Sequence, residues 1–245
     1  MHLVCLQLVR SEESRSNGIS TRIVKGGVET VSGEYKEFGY ASAGLVNGYA
    51  SDQLAEKFVE LTQSLDGVER VCDLGCGNGY IASRLGTLGV DVTGVDASLS
   101  GVNIANQNYA SDKIRFVKAE FGPDLTDALA LRGQFDLVVS SDVIEHLYRP
   151  AVLLETAVTL LKPGGYLIVG TPYHGYLKNL ALSILDGWDA HHTVAWNGGH
   201  IKFFSVKTLS SLVMCQGFEL MGFHYLGRAP WLWKNMICVA KKKSV

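Results

Sequence analysis

The sequence predicts an α/β fold: a doubly wound sheet of about seven strands, mostly parallel with an antiparallel last strand, and helices on both faces. Three observations carry this. Short β-branched runs alternate with stretches of helical periodicity between residues 70 and 171. A glycine turn joins the first of those runs to the helical stretch after it. The last two apolar runs lie close together with no helical stretch between them, which suits an antiparallel pair. A chain of 245 residues, 47% hydrophobic, builds one large domain of this kind and hardly two.

The N-terminal MHLVCLQLVR is short and broken by Gln7, with no basic segment before it and no small-residue cleavage site after it, so it does not read as a signal peptide. No run approaches the ~20 apolar residues of a membrane span. Residues 11–34 are rich in Ser, Gly, Glu and Thr, and poor order is expected over 1–34, ahead of a single domain over 35–245. Ser51 is placed to cap a helix whose apolar positions are Leu54, Ala55, Phe58, Val59 and Leu61. The strands follow as RVCDL (70–74), VDVTGVD (90–96), IRFVKAE (114–120), FDLVVSS (135–141) and GYLIVGT (165–171). Helical patterns lie between them near 79–88, 98–110 and 144–161. In KPGG (162–165), Lys162 suits a helix C-terminus, Pro163 stops the helix and the glycines allow the turn into the next strand. A helix over 206–216 and the strands FELMGFHYLG and MICVAKK complete the domain.

The net charge of −2 and a pI near 6.4 argue against a broad basic face for nucleic acid. The five cysteines, Cys5, Cys72, Cys76, Cys215 and Cys238, are odd in number and lack C-x-x-C pairing, so they read as reduced thiols of a cytoplasmic protein.

VCDLGCGNGY carries the first chemistry. A buried strand ends at Asp73, and Gly75 and Gly77 let the backbone turn tightly beside a ligand facing the N-terminus of the next helix. Any tight strand-to-helix turn can use glycine, so the turn alone is not specific. The second strand ends in GVDAS, where Asp96, roughly 20 residues on, suits the hydroxyls of a ribose. A dinucleotide site shares both features, but its third fingerprint glycine is replaced here by Tyr80.

DLGCGNG, GVDAS, KAEF, FDLVVSSDVIEHL and LLKPGGYLIVGTP, in this order and spacing, resemble the class I S-adenosylmethionine (SAM)-dependent methyltransferases, with a Rossmann-like fold. The resemblance covers about residues 50–240 and is nearest the ubiquinone-biosynthesis O-methyltransferase type. It implies that Asp73, Gly75 and Gly77 line the methionine end of SAM, that Asp96 holds the ribose and that Ala97 lies beside the adenine. It further implies that Glu120 accepts from the adenine amine, that the Phe121 backbone contacts the ring, and that Ser140 and Ser141 meet the methionine amine or the acceptor. Alternatively, Glu120 is a solvated loop charge.

Asp142, Glu145 and His146 stand at i, i+3 and i+4, one face of a helix, and together suit a divalent cation such as Mg²⁺, Mn²⁺ or Zn²⁺. They resemble the E-x-x-E-H motif of metal-using ubiquinone-type enzymes and small-RNA 2′-O-methyltransferases, with Asp in place of the first Glu. That resemblance implies a further histidine downstream, and His200 in GGHIKFFS is the candidate. Without a metal, the glutamate caps a turn, and His146 braces the loop or acts as general base.

Residues 172–204 form an insert with a helical stripe of Leu177, Leu180, Ala181, Ile184, Leu185 and Trp188. The stripe is either core packing or a lid over the acceptor. Tyr173, His174, His191, His192, Trp196 and His200 around it suggest an aromatic or amphipathic small molecule. Trp231, Trp233, Lys234 and Lys241–Lys243 suit a peripheral membrane contact, or a buried Trp with a solvated tail. The leading expectation is O-methylation of a phenolic, catechol-like or polyprenyl metabolite. An RNA 2′-O-methyltransferase and a non-catalytic SAM-binding protein are the alternatives. Oligomeric state is not legible.

Overall fold

The structure, a computed structural model, describes residues 20–24, 27–31, 49–122, 125, 130–188, 199–227 and 229–243. The chain divides into two compact units, Met1–Glu37 and Phe38–Val245. In the first, β1 (Ser20–Val24) and β2 (Gly27–Val31) pair antiparallel from Ser20↔Val31 to Val24↔Gly27. These two strands lie inside the stretch whose composition suggested poor order.

The second unit holds α1 (Tyr49–Gln63), β3 (Arg70–Leu74), α2 (Tyr80–Gly86), β4 (Asp91–Asp96), α3 (Leu99–Tyr109), β5 (Ile114–Lys118) and β6 (Phe135–Ser141). It continues through α4 (Ala151–Leu160), β7 (Leu161–Pro172), α5 (Tyr176–Ile184), α6 (Val206–Cys215), β8 (Phe218–Leu226) and β9 (Asn235–Lys242). The strands order as β5-β4-β3-β6-β7-β9-β8. The five from β5 to β7 run parallel, and β9 runs antiparallel to both its neighbours.

The central strands are apolar throughout because both faces are covered. Side chains alternate between faces. Val71, Leu137, Val139 and Ile168 pack with Leu54, Phe58 and Leu61 of α1, Ala82 and Leu85 of α2, and Val102 and Ala105 of α3. Cys72, Leu74, Val138, Leu167 and Val169 point the other way, onto Leu153, Leu154, Ala157 and Leu160 of α4 and Leu209 and Val213 of α6. Each fully buried Phe or Leu in these layers contributes about 1.5–3 kcal/mol. Cys72, Cys76 and Cys238 are buried free thiols, and Cys215 is exposed.

Three local expectations are corrected. Ser51 lies inside α1 rather than ahead of it. The helix expected over 144–161 is a short 3-10 turn, Ile144–His146, followed after a break by α4, whose N-cap is Pro150. KPGG does not precede the strand but is absorbed within β7 as an irregularity, where pairing steps from Phe135↔Leu161 to Leu137↔Tyr166. Lys162 Nζ bonds Asp136 Oδ1 at 2.5 Å, and the Asp136 carboxylate also accepts from the Glu69 and Arg70 N–H groups, tying β3, β6 and β7 together.

The chain moves outward from β3 through β4 to β5, then returns to the other side of β3 with β6. The order therefore reverses between β3 and β6, and a crevice opens at their carboxyl ends, where ligands bind in open parallel sheets.

Candidate functional site

Asp73 sits at the end of β3 with 2% of its surface exposed, and its Oδ2 has no hydrogen-bond partner among the described residues. Burial, then the charge of Asp96, pushes its carboxyl up to about 7, against a bond from the Ala82 N–H. A buried acceptor left unsatisfied calls for a donor from a ligand. Gly75, at φ 82, donates to Val95 O at 2.7 Å, and a Cβ built on it would lie 2.3 Å from Val143 Cγ2. Only glycine fits this conformation in this space. Gly77, at φ 52, donates to Asp96 Oδ2 at 2.8 Å, and Ser98 N donates to Asp96 Oδ1 at 2.8 Å. Asp96 is thus held by both carboxylate oxygens at the end of β4. Ser98 also caps α3 by accepting from Gly101 N at 3.1 Å.

Asp73, Gly75, Gly77, Asp96 and half-buried Ala97 thus stand together at the adjacent ends of β3 and β4. Glu120 is exposed and Phe121 half-buried just beyond β5, the next strand outward. Ser140 is buried, and its hydroxyl donates to Leu74 O at 2.7 Å, pinning β6 to β3. Ser141 Oγ bonds Asp142 Oδ2 at 3.3 Å.

The acidic–histidine motif forms differently from a helix face. Asp142 takes a left-handed backbone, φ 53, and donates its N–H to Gly170 O at 3.0 Å. Its Oδ1 accepts from Asn235 Nδ2 at 3.2 Å, so it is turned toward β9 and is not part of the close cluster. The residue is exposed as a whole, but protein packed around its carboxyl raises the pKa, against the opposing pulls of Ser141, Lys234 and His146. Glu145, His146 and His200 do converge, with one ligand atom from each within 4.8 Å of the others.

Glu145 is 1% exposed. Its Oε2 accepts from Thr171 Oγ1 at 2.9 Å, and its Oε1, 3.9 Å from His200 Nε2, has no hydrogen bond among the described residues. Burial, then Asp142, raises its carboxyl well above the usual range. The Glu145 carbonyl accepts from Ile201 N and Lys202 N, which carries His200 to the cluster. His146 Nδ1 lies 3.2 Å from Gly199 O; as the Nδ1–H tautomer it donates there, leaving Nε2 basic. The two imidazoles meet edge to face at 5.0 Å.

In the 172–204 insert, β7 runs on to Pro172 and α5 follows at once. The helical stripe is not core: Leu177, Leu180, Ile184, Leu185 and Trp188 are all exposed, and the one buried residue of α5 is Lys178. Tyr173 and His174 are buried at the β7 end. His191, His192 and Trp196 lie outside the described residues. Trp233 stacks on Tyr225 at 4.1 Å and meets Tyr173 at 5.3 Å, while Trp231 is exposed. The basic tail is partly tied down: Lys242 Nζ donates to Val158 O and Leu161 O, and Lys241 lies over the Tyr166 ring. No helix among the described residues is long and apolar enough to cross a membrane.

Three contributors escaped the motif reading. Thr171 anchors Glu145, Lys178 is buried within an apolar stripe, and Asp52 of α1 accepts from the Tyr80 hydroxyl beside the glycine turn. Thr171 alone had a signal, its place at the end of the fifth parallel strand.

Residues 46–221 match a family model described as a methyltransferase domain. A ubiquinone biosynthesis O-methyltransferase of Bradyrhizobium diazoefficiens is 33% identical over 174 residues, which cover 68% of this chain and 66% of that protein. Among solved structures, the magnesium protoporphyrin IX methyltransferase of Synechocystis PCC 6803 with bound SAH superposes with a TM-score of 0.59 at 18% identity, covering 80% of this chain and 88% of that one. The [4+2]-cyclase SpnF also superposes at 0.59, with 19% identity and coverage of 80% and 83%. These likenesses show the fold, and the pair of them shows that the fold alone does not set the reaction. The family model and the cradle of Asp73, Gly75, Gly77 and Asp96 agree: the chain belongs to the SAM-dependent methyltransferases.

Proposed function

We propose that the chain transfers the methyl group of SAM to a hydroxyl of a small phenolic, catechol-like or polyprenyl acceptor. The observation that carries this is the convergence of Glu145, His146 and His200 at the carboxyl side of β6 and β7, across the switch point from the cofactor cradle. The likeness to a ubiquinone biosynthesis O-methyltransferase supports an oxygen acceptor. Asp73 would take the methionine ammonium, Asp96 the ribose hydroxyls, and Ala97, Glu120 and Phe121 the adenine. Ser140 and Ser141 would shape the floor between cofactor and acceptor.

The acceptor oxygen attacks the methyl carbon in line with the departing sulfur. The carbon–sulfur bond breaks as the carbon–oxygen bond forms, and the hydroxyl proton passes to a base. His146 Nε2 is suited to take it. Holding nucleophile and carbon aligned supplies much of the acceleration.

The donor set also fits a divalent cation: two imidazoles and the buried Glu145 Oε1, which lacks a hydrogen bond among the described residues, are close enough to share one ion. Such an ion would lower the acceptor's pKa and fix its orientation. Asp142, turned toward Asn235, would not be among its ligands in this arrangement.

Turnover of SAM with phenolic, catechol and polyprenyl acceptors, with and without chelator, tests the proposal. Activity on a hydroxyl is expected, abolished in His146→Ala. Full activity in excess chelator would leave His146 as base and remove the metal. SAM binding without turnover of any acceptor would leave a non-catalytic binding protein.

A further inference from the structure

α5 is inverted. An amphipathic helix on a globular domain buries its leucines and shows its lysines to water. Here Tyr176 and Ile184 are 79% and 73% exposed, whereas Lys178 is 7% exposed and the only buried residue of the helix. Its Nζ donates to Tyr173 O at 2.8 Å, which accounts for one of its three N–H bonds. Tyr173 lies two residues past Thr171, the residue bonded to Glu145, so the ammonium is held at the end of β7 that carries the acidic–histidine cluster.

Among the described residues, its electrostatic surroundings are those of a cation without a counterion. Burial, and after it the charge of a second lysine, Lys234, together lower the Lys178 pKa to about 8, with no carboxylate among the described residues acting in the opposite direction. Lys234 itself acts on Asp142. A buried ammonium whose hydrogen bond among the described residues goes to a carbonyl is poorly placed for stability, and a leucine there would complete the helix. Such groups concentrate at functional sites.

We propose that Lys178 is a specificity-determining residue that binds a carboxylate on the acceptor, separate from the hydroxyl that is methylated. A carboxylate is anionic in the ground state and offsets the buried cation as soon as it binds. A phenol, neutral at pH 7 with a pKa near ~10, does not. This inference rests on the proposed methyl transfer to a small hydroxylated acceptor, and it narrows that acceptor to an acid.

The test uses the full chain saturated with SAH and two probes of nearly equal shape, 3,4-dihydroxybenzoate and 3,4-dihydroxybenzyl alcohol, titrated by calorimetry. SAH binding is measured first, and its absence would overturn the methyltransferase reading independently. The benzoate is expected to bind at least tenfold more tightly than the alcohol. Lys178→Met is expected to abolish that preference while leaving alcohol and SAH affinity unchanged, and Lys178→Arg to restore part of it. Thermal unfolding is expected to show Lys178→Met at least as stable as wild type. Wild-type protein that does not favour the benzoate overturns the proposal, as does a preference that survives in Lys178→Met. If Lys178→Met fails to fold, the same comparison in Lys178→Gln decides.

Discussion

Asp73→Asn separates the cost of the cofactor site from its use. The carboxyl moves from 3.8 in the unfolded chain to about 7 in the folded one. Each pKa unit is 1.36 kcal/mol, so the ionised carboxylate destabilises the ligand-free protein by about 4 kcal/mol at pH 8. The sign follows from proton counts. Between pH 3.8 and 7 the folded state holds more protons than the unfolded state, so this group's contribution is best at low pH and is lost as pH rises through 7. At pH 5 the cost is about 2 kcal/mol. Asn removes the charge with little change of shape, so the ligand-free variant is expected to unfold several degrees higher at pH 8, with a smaller gain at pH 5. SAM binding should move the opposite way. Wild-type affinity should fall below pH 7 as Asp73 takes up a proton that the cofactor ammonium must displace, and the variant should bind weakly at every pH. Scanning calorimetry and isothermal titration across pH 5–8 measure both. A variant less stable at pH 8, or one with wild-type SAM affinity, would refute the argument that the buried carboxylate is kept for the ligand.

Asp96→Ala is expected to weaken SAM binding by about 1–3 kcal/mol, since it removes the ribose acceptor and frees the Gly77 and Ser98 N–H groups; unchanged affinity would end the ribose assignment. Gly75→Ala combines φ 82 with a Cβ 2.3 Å from Val143 Cγ2, so a loss of about 2–4 kcal/mol is expected in urea unfolding. A loss below about 0.5 kcal/mol would show that the turn tolerates a side chain. With its apolar side chains exposed, α5 should exchange amide hydrogens quickly in the free protein and slow when SAH and acceptor are both present. Equal, strong protection in both states would contradict a closing lid.

Much of the fold was legible because its signals are local. The βαβ rhythm reflects strands covered on both faces, and Asp73, Gly75, Gly77 and Asp96 are adjacent in space because they end two neighbouring parallel strands. A backbone that must turn in little space demands glycine, and that demand shows in the sequence. The spacing Asp142, Glu145, His146 implied a shared helix face, but one left-handed residue and a 3-10 turn decided otherwise. His200 reaches Glu145 through backbone bonds from Ile201 and Lys202, a pairing across more than fifty residues that no local pattern encodes. The α5 stripe read equally as core or lid, because periodicity says which residues share a face but not which way that face turns. Only tertiary packing decided that the leucines face outward and Lys178 inward, since burial belongs to the assembled layers rather than to the segment.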